Sequence, residues 1–288
     1  MSKRSYLPFL LVLPALIVMT IFGFYPVPEG LWYSLLHYRV TQPEKTYFFG
    51  LGNYLQAMGD PVFWTSISNT AYFTVVAVVC SMFAGLGFAL ILNERFRNRG
   101  IVRTIVLVPW LMPPVVNGMI WKWIFNDGYG AFNAILYGLH LIPEYVPWLQ
   151  LPYFAVTAGA FVFVWRTAPF VCVILLAGLQ SISEDVYESA TIDGASATQR
   201  FLHMTLPLLR AAIALVLVQI LIAAVNTYDI LYVLLGFAEP NLPLYTYETT
   251  FAFGDFGYGA ALSWILTLST LAIGYFYIRL LYREAYGR

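Results

Sequence analysis

The apolar positions of this chain form continuous stretches rather than a period. Six runs are hydrophobic on every side: Leu7–Tyr25, Thr70–Leu92, Thr104–Trp121, Tyr153–Ile182, Ala211–Ala238 and Phe256–Ile278. Neither the alternation of a half-buried strand nor the single stripe of a surface helix is present. About 20 apolar residues wound as helix cross a bilayer core, and a helix satisfies its own backbone in lipid. The predicted fold class is therefore all-α, a polytopic membrane protein with six transmembrane helices. The domain expectation is a single transmembrane unit over residues 1–288, with an anchor helix at 7–36 and a core at 66–283. Lys3 and Arg4 precede the first run as they would in a signal peptide. That run is long for one and lacks a small-residue cleavage site, so an uncleaved anchor is expected. Pro113-Pro114 is expected to break the third run, and broken helices at membrane depth line cavities.

Composition narrows the function classes. The 288 residues are 60% hydrophobic and only 10% charged, against about 25% charged in ordinary soluble domains. Mean hydropathy is +0.72. Thirty charges cannot clothe the surface of a soluble enzyme of this length, and disorder is excluded for the same reason. Nucleic acid is not an expected partner, since no basic patch could neutralise several phosphates; membrane lipid is. The fifteen basic residues are distributed unevenly. Lys3, Arg4, Arg95, Arg97, Arg99, Arg103, Arg200, Arg210, Arg279, Arg283 and Arg288 fall at one set of helix ends. Only Arg39 and Lys45 occupy the opposite loops. The positive-inside rule then puts both termini in the cytoplasm. Loops near 37–65, 126–152 and 239–255 face outward. Trp148, Tyr145 and Tyr153 suit an interfacial belt, with Glu144–Leu151 along the membrane surface. Cys80 and Cys172 lie inside apolar runs and read as small buried hydrophobes.

The loop at 181–210, between the fourth and fifth runs, differs from the others. Ser181 and Glu184 have capping-box spacing, as do Ser196 and Gln199. Gly194 can end the first short helix through a left-handed cap. Pro207 either limits the second helix or opens the next. A helix, a sharp corner and a helix result, with Ser189, Ala190 and Thr191 presenting small side chains around Glu188. A solvated connector is the plain alternative, but helix–helix connections usually take about 2–8 residues. The length and order favour a docking element.

This stretch resembles the EAA signature of binding-protein-dependent ABC transporter permeases. That signature is Glu-Ala-Ala, three residues, Gly, nine residues, a hydrophobic residue, one residue, then Leu-Pro. Here it reads Glu188-Ser189-Ala190, Gly194, Met204 and Leu206-Pro207, with Ser189 and Met204 as mild departures. Asn226-Thr-Tyr-Asp229-Ile-Leu-Tyr-Val-Leu and Gly257-Tyr-Gly-Ala-Ala-Leu-Ser263 are similar to segments of the sugar-importing branch. The opening run ending Phe-Tyr-Pro26 and Leu51-Gly-Asn-Tyr54 fit it too. The resemblance implies a type I ABC importer permease, one membrane subunit of an ATP-driven importer, multi-pass in a bacterial inner membrane. It implies a second permease subunit of a different chain, two ATPase subunits and an extracytoplasmic solute-binding protein that delivers a sugar-like solute. It also implies that Glu188, Ser189, Ala190, Asp193, Gly194, Ala195, Leu206 and Pro207 couple the membrane helices to the ATPases. A polyol or glycerophosphate ester is the alternative cargo. An ATPase-independent secondary transporter or channel is the alternative class.

The chain's own chemistry agrees with that division of labour. No Gly-Lys pair occurs, so no Walker A loop is present. No cofactor is expected in this chain, and ATP with its Mg belongs on the partner ATPases. His37, His140 and His203 fall in three loops without metal-ligand spacing. The cluster Gly254–Gly259 lacks the phosphate-binding lysine and reads as a flexible loop. No catalytic constellation is visible, and an enzyme is not expected. Charges within spans are functional candidates. Arg166 would lie about 20 Å and Asp229 about 9 Å from the outer surface at 1.5 Å per residue, and an ion pair between them would need helix tilt. A sugar pathway needs aromatic faces and polar groups. Asn117, Trp121, Trp123, Trp165, Asn226, Tyr228 and Trp264 could supply these, although any one aromatic is more often lipid-facing or packed.

Overall fold

A computed structural model describes residues 7–286, and the side chains of residues 9–279. The side chains of Lys3, Arg4, Arg283 and Arg288, which entered the orientation argument, lie outside the described residues. Among the described residues, five helices are long and apolar enough to cross a membrane: Phe9–Ser34, Pro61–Asn93, Pro152–Gln180, Ala197–Val225 and Phe256–Arg279. The pair Arg99–Leu111 and Pro114–Ile124, bent by 96°, makes a sixth. In chain order these are the first to sixth spans, the bent pair being the third.

The third span breaks where the tandem prolines predict. Pro113 and Pro114 bring no N–H, and a residue before proline is driven from the helical region. Met112 accordingly turns extended (φ −76°, ψ 141°). The freed carbonyls are not abandoned. The buried Asn117 amide reaches back to Pro109, Met112 and Pro113 at 3.3, 3.4 and 3.4 Å.

The fifth span departs from expectation at both ends. It begins at Ala197, running through a wide π turn at Phe201–Thr205 that precedes Pro207. It ends at Val225, not Ala238, and Asp229–Leu235 is a separate short helix. The end has a local cause. Asn226 Nδ2 donates to the Ile222 carbonyl at 2.8 Å, and Thr227 Oγ1 to that of Ala223 at 2.7 Å. Such back-bonding competes with the helix ladder.

The chain forms two compact units. The larger comprises Thr65–Leu244 and the chain from Thr270. Its hub is the fourth span, whose apolar window is 56% buried against 33% and 28% in the second and fifth. Phe73 meets Phe163 edge-on at 5.7 Å, above a core of Val171, Leu175, Val216, Ile220 and Leu231. Gly85 lets the second span touch the fourth: a Cβ there would fall 2.4 Å from Val171 and 3.0 Å from the Ala168 carbonyl. Small residues at helix crossings are the usual device where lipid supplies no hydrophobic drive. Cys172 is buried as expected, whereas Cys80 is exposed, because it turns away from the fourth span.

The smaller unit comprises the described residues up to Trp64 together with Tyr245–Ser269. Leu36–His37 pairs antiparallel with Tyr47–Phe48, so His37 sits on a short strand rather than in a loop. Asn53, fully buried, ties the turn to the Ser34 and Leu36 carbonyls at 2.9 and 2.8 Å. Arg39 and Asp255 form an ion pair at 2.8 Å. The glycine cluster is no flexible loop. Gly254 takes φ +69°, Phe256 opens the sixth span, and a Cβ at Gly257 would meet the Leu36 carbonyl at 2.2 Å. Backbone conformation therefore favours glycine at 254, and backbone contact requires it at 257.

Candidate functional site

The corner at 181–210 folds as a capped pair of helices. Glu184–Ile192 starts from Ser183, whose hydroxyl accepts from the Asp185 N–H at 3.3 Å. The expected cap, Ser181, instead donates to the Gly178 carbonyl at 2.7 Å and closes the fourth span. Glu184 and Asp185 lie in the first turn, where the helix dipole favours acids. The end of this helix has the double hydrogen bond of a Schellman motif. Ala195 N donates to Ala190 O at 2.9 Å and Gly194 N to Thr191 O at 3.1 Å. Gly194 at φ +78° makes this turn possible. The second helix begins with the full capping box, Gln199 N to Ser196 Oγ at 3.4 Å and Ser196 N to Gln199 Oε1 at 2.8 Å.

Several ties hold the corner to the helices around it. Tyr187 and Thr205 hydroxyls meet at 3.1 Å, Arg200 reaches Thr191 at 2.7 Å, and Arg95 pairs with Glu184 at 2.5 Å. One expectation about its surface needs correction. Ala190 is 1% exposed, packed inward rather than presented, because it shares the helix's inner face with the half-buried Val186 and Tyr187. The outward face carries Glu188, Ser189, Thr191, Asp193 and Gly194. It also carries Ile192, 86% exposed, which sequence reasoning missed. The available signal was one β-branched apolar residue at the end of an otherwise polar turn. Pro207 stands at the start of Leu206–Val225, so the corner is continuous with the fifth span.

The residues expected along a solute path are only partly assembled. Trp121 packs edge-on against Phe161 at 4.8 Å and Trp165 at 5.8 Å, and its buried indole N–H has no hydrogen-bond partner among the described residues. Trp165 is half exposed beside it. Arg166 Nε donates to the Met112 carbonyl at the broken third span, 3.4 Å away. Asp229 opens the short helix after the fifth span and accepts from Ile230 N at 2.9 Å. No ion pair joins Arg166 to Asp229 among the described residues; a helix end separates Asp229 from the span in which a pairing was conceivable. Asn117 and Asn226 commit their amide N–H groups to backbone carbonyls. Trp123 and Tyr228 are exposed. Trp264 is half-buried on the sixth span, in the smaller unit. Near Phe125 and Leu149 a cavity of about 430 Å³ opens, edged by Lys122, Asn126, Asp127 and Gln150. Its polar rim joins the end of the third span to residues 126, 127 and 150 beyond it, and was not legible from local sequence. No group of three or more His, Cys, Asp or Glu able to hold a metal occurs among the described residues.

Six apolar spans, one broken at prolines, and an ordered polar corner with an exposed apolar residue define a multi-pass membrane protein. The chain belongs to the family of inner membrane components of binding-protein-dependent transport systems, whose model matches residues 77–283. It is 40% identical over 96% of its length to the trehalose/maltose transport system permease protein MalF of Thermococcus litoralis, covering 94% of that protein. It is 33% identical to the sulfoquinovosyl glycerol transport system permease protein SmoG of Agrobacterium fabrum, over 94% of this chain and 89% of that one. It is 32% identical to the trehalose transport system permease protein SugA of Mycobacterium tuberculosis, over 100% and 92%. A chain in the crystal structure of a bacterial ABC transporter importing the acidic polysaccharide alginate shares the fold. Its TM-score is 0.85 at 24% identity, covering 98% of this chain and 96% of that one.

Proposed function

We propose that this subunit forms, with a second permease chain, the membrane path for a sugar or sugar derivative. An extracytoplasmic solute-binding protein delivers that solute, and two ATPase subunits drive its import. The relatives named for trehalose, maltose and a sulfoquinovosyl glycoside, similar over almost their whole length, support the solute class. The aromatic pair Trp121 and Trp165 offers faces for sugar C–H surfaces, and the unpartnered Trp121 N–H offers a donor. The rim of Lys122, Asp127 and Gln150 offers groups for hydroxyls.

The observation that carries the mechanism is the Gly194 corner. An ATPase closing beneath the membrane would grip the face of Glu188, Ser189, Thr191, Ile192, Asp193 and Gly194. Ala190 and Ala195 would hold the corner's shape from inside, and Leu206-Pro207 would pass the displacement to the fifth span. ATP and Mg would act on the ATPase partner. The arginine-rich helix ends, the corner and both termini would then lie in the cytoplasm. The test is ATP hydrolysis by the assembled complex in lipid with its binding protein, across sugars, sugar acids and polyols. Stimulation by one carbohydrate is expected. Stimulation confined to a non-carbohydrate would overturn the solute class, and transport without any ATPase would overturn the mechanism.

A further inference from the structure

The third span begins with two arginines one helical turn apart, Arg99 and Arg103, which therefore share a face. Both side chains are half-buried, and part of each guanidinium is withdrawn from solvent. Arg99 Nε and Nη2 and Arg103 Nε are buried, with no hydrogen-bond partner among the described residues. Buried guanidinium N–H groups left without an acceptor carry a desolvation cost that a bound anion would relieve. The neighbouring arginine does not share this state, because Arg95 is paired with Glu184. Arg103 opens onto a cavity of about 280 Å³ between the second, third and fourth spans. No carboxylate lines it. Its other walls are apolar (Val106, Leu107, Val173 and Leu176), with Cys172 deeper and Gln180 at its end. Gln180 is the last residue of the fourth span, so the cavity opens at the membrane's arginine-rich face. On the same helix Ile101 and Ile105 are more than 60% exposed, the state of side chains that meet lipid tails.

We propose that Arg99 and Arg103 hold the phosphate of one anionic phospholipid, whose acyl chain lies along the Val106–Leu107 and Val173 wall. Charge complementarity selects this occupant. Two guanidinium groups supply a planar, multidentate phosphate grip. Gln180 supplies a donor at the depth of the glycerol esters, and the apolar wall supplies what a soluble anion would not use. A basic pocket between transmembrane helices is a known mode of headgroup binding. Filling it would pin the start of the broken third span to the membrane surface and neutralise the repulsion between its two arginines.

The test uses the assembled transporter, stripped of lipid by detergent exchange and titrated with phosphatidylglycerol or phosphatidylcholine. Native mass spectrometry reads bound lipid per complex. Phosphatidylglycerol is expected to bind selectively. The double variant Arg99→Gln/Arg103→Gln is expected to bind it roughly 30-fold more weakly, about fivefold for each basic residue at a charged membrane surface. Arg97→Gln, an exposed neighbour, is expected to bind as the wild type does. Equal binding of the two lipids by the wild type overturns the proposal, a result that needs no variant to fold. So does an undiminished affinity in the double variant, or an equal loss in Arg97→Gln. Displacement of phosphatidylglycerol by inorganic phosphate or glycerophosphate at matched concentration would instead assign a soluble phosphate site and overturn the lipid.

Discussion

Gly194 allows backbone geometry to be separated from side-chain chemistry. At φ +78° an alanine would pay the left-handed strain, roughly 1–2 kcal/mol. A Cβ there would meet nothing within 4 Å in this chain, so strain is the whole intramolecular effect. Against a corner that must be formed to dock, that strain lowers the docking-competent population by about 5–30-fold, at 1.4 kcal/mol per tenfold. Asparagine tolerates the left-handed region better than alanine although it is larger. Valine tolerates it worst. Binding-protein-stimulated ATP hydrolysis of the reconstituted complex should therefore rank Gly194, then Gly194→Asn, then Gly194→Ala, then Gly194→Val, with alanine on the order of tenfold below wild type. If the docked ATPase instead packs against the glycine, the order of the first two variants reverses, since volume then decides. Asparagine slower than alanine, or all variants equal to wild type, would refute the backbone argument.

Ile192→Ser should weaken association of the ATPase with the permease pair by about 10–100-fold, since burying such a side chain is worth roughly 1.5–3 kcal/mol; titration of labelled ATPase onto the reconstituted permeases measures it, and an unchanged affinity removes Ile192 from the interface. Asn133, fully buried, donates to the Asn126 and Val146 carbonyls and accepts from Val146 N and the Trp148 indole. Asn133→Ala strands these groups at about 1–3 kcal/mol each, so limited proteolysis should open the 126–152 loop while the corner stays protected. Tyr258 and Tyr245 both donate to Asp60, Tyr258 at 2.9 Å. Tyr258→Phe should lower thermal stability by about 1.5–3 kcal/mol, the value of a bond to a charged acceptor, and a shift within error would show that bond to be idle. Burial and the Asp60 carboxylate push the Tyr245 hydroxyl up to about 12 from an ordinary 10. The folded state thus keeps its proton longer, and the contribution is whole below pH 10 and lost as pH rises toward 12. Thermal stability should fall across that window in wild type and fall less in Tyr245→Phe.

Much of this protein is determined by sequence alone, where the physics is local or compositional. Unbroken apolar runs specify membrane helices because lipid offers the backbone no alternative partner. Tandem prolines specify a break, since missing N–H groups are a property of the residues themselves. Gly194 and the Ser196–Gln199 box specify the corner through bonds spanning five residues or fewer. The end of the fifth span at Val225 is a local effect as well, a hydroxyl and amide competition four residues back that hydropathy does not register. The bonds of the Asn117 amide to carbonyls at the proline break are local in the same way. The tertiary structure decided what depends on neighbours distant in the chain. It turned Ala190 inward and Ile192 outward, because the corner's orientation is set by Tyr187–Thr205, Arg200–Thr191 and Arg95–Glu184. It also left guanidinium N–H groups of Arg99 and Arg103 buried without a partner among the described residues, which no charge count along the chain could show. Burial and pairing are relations between elements, and they exist only once those elements pack.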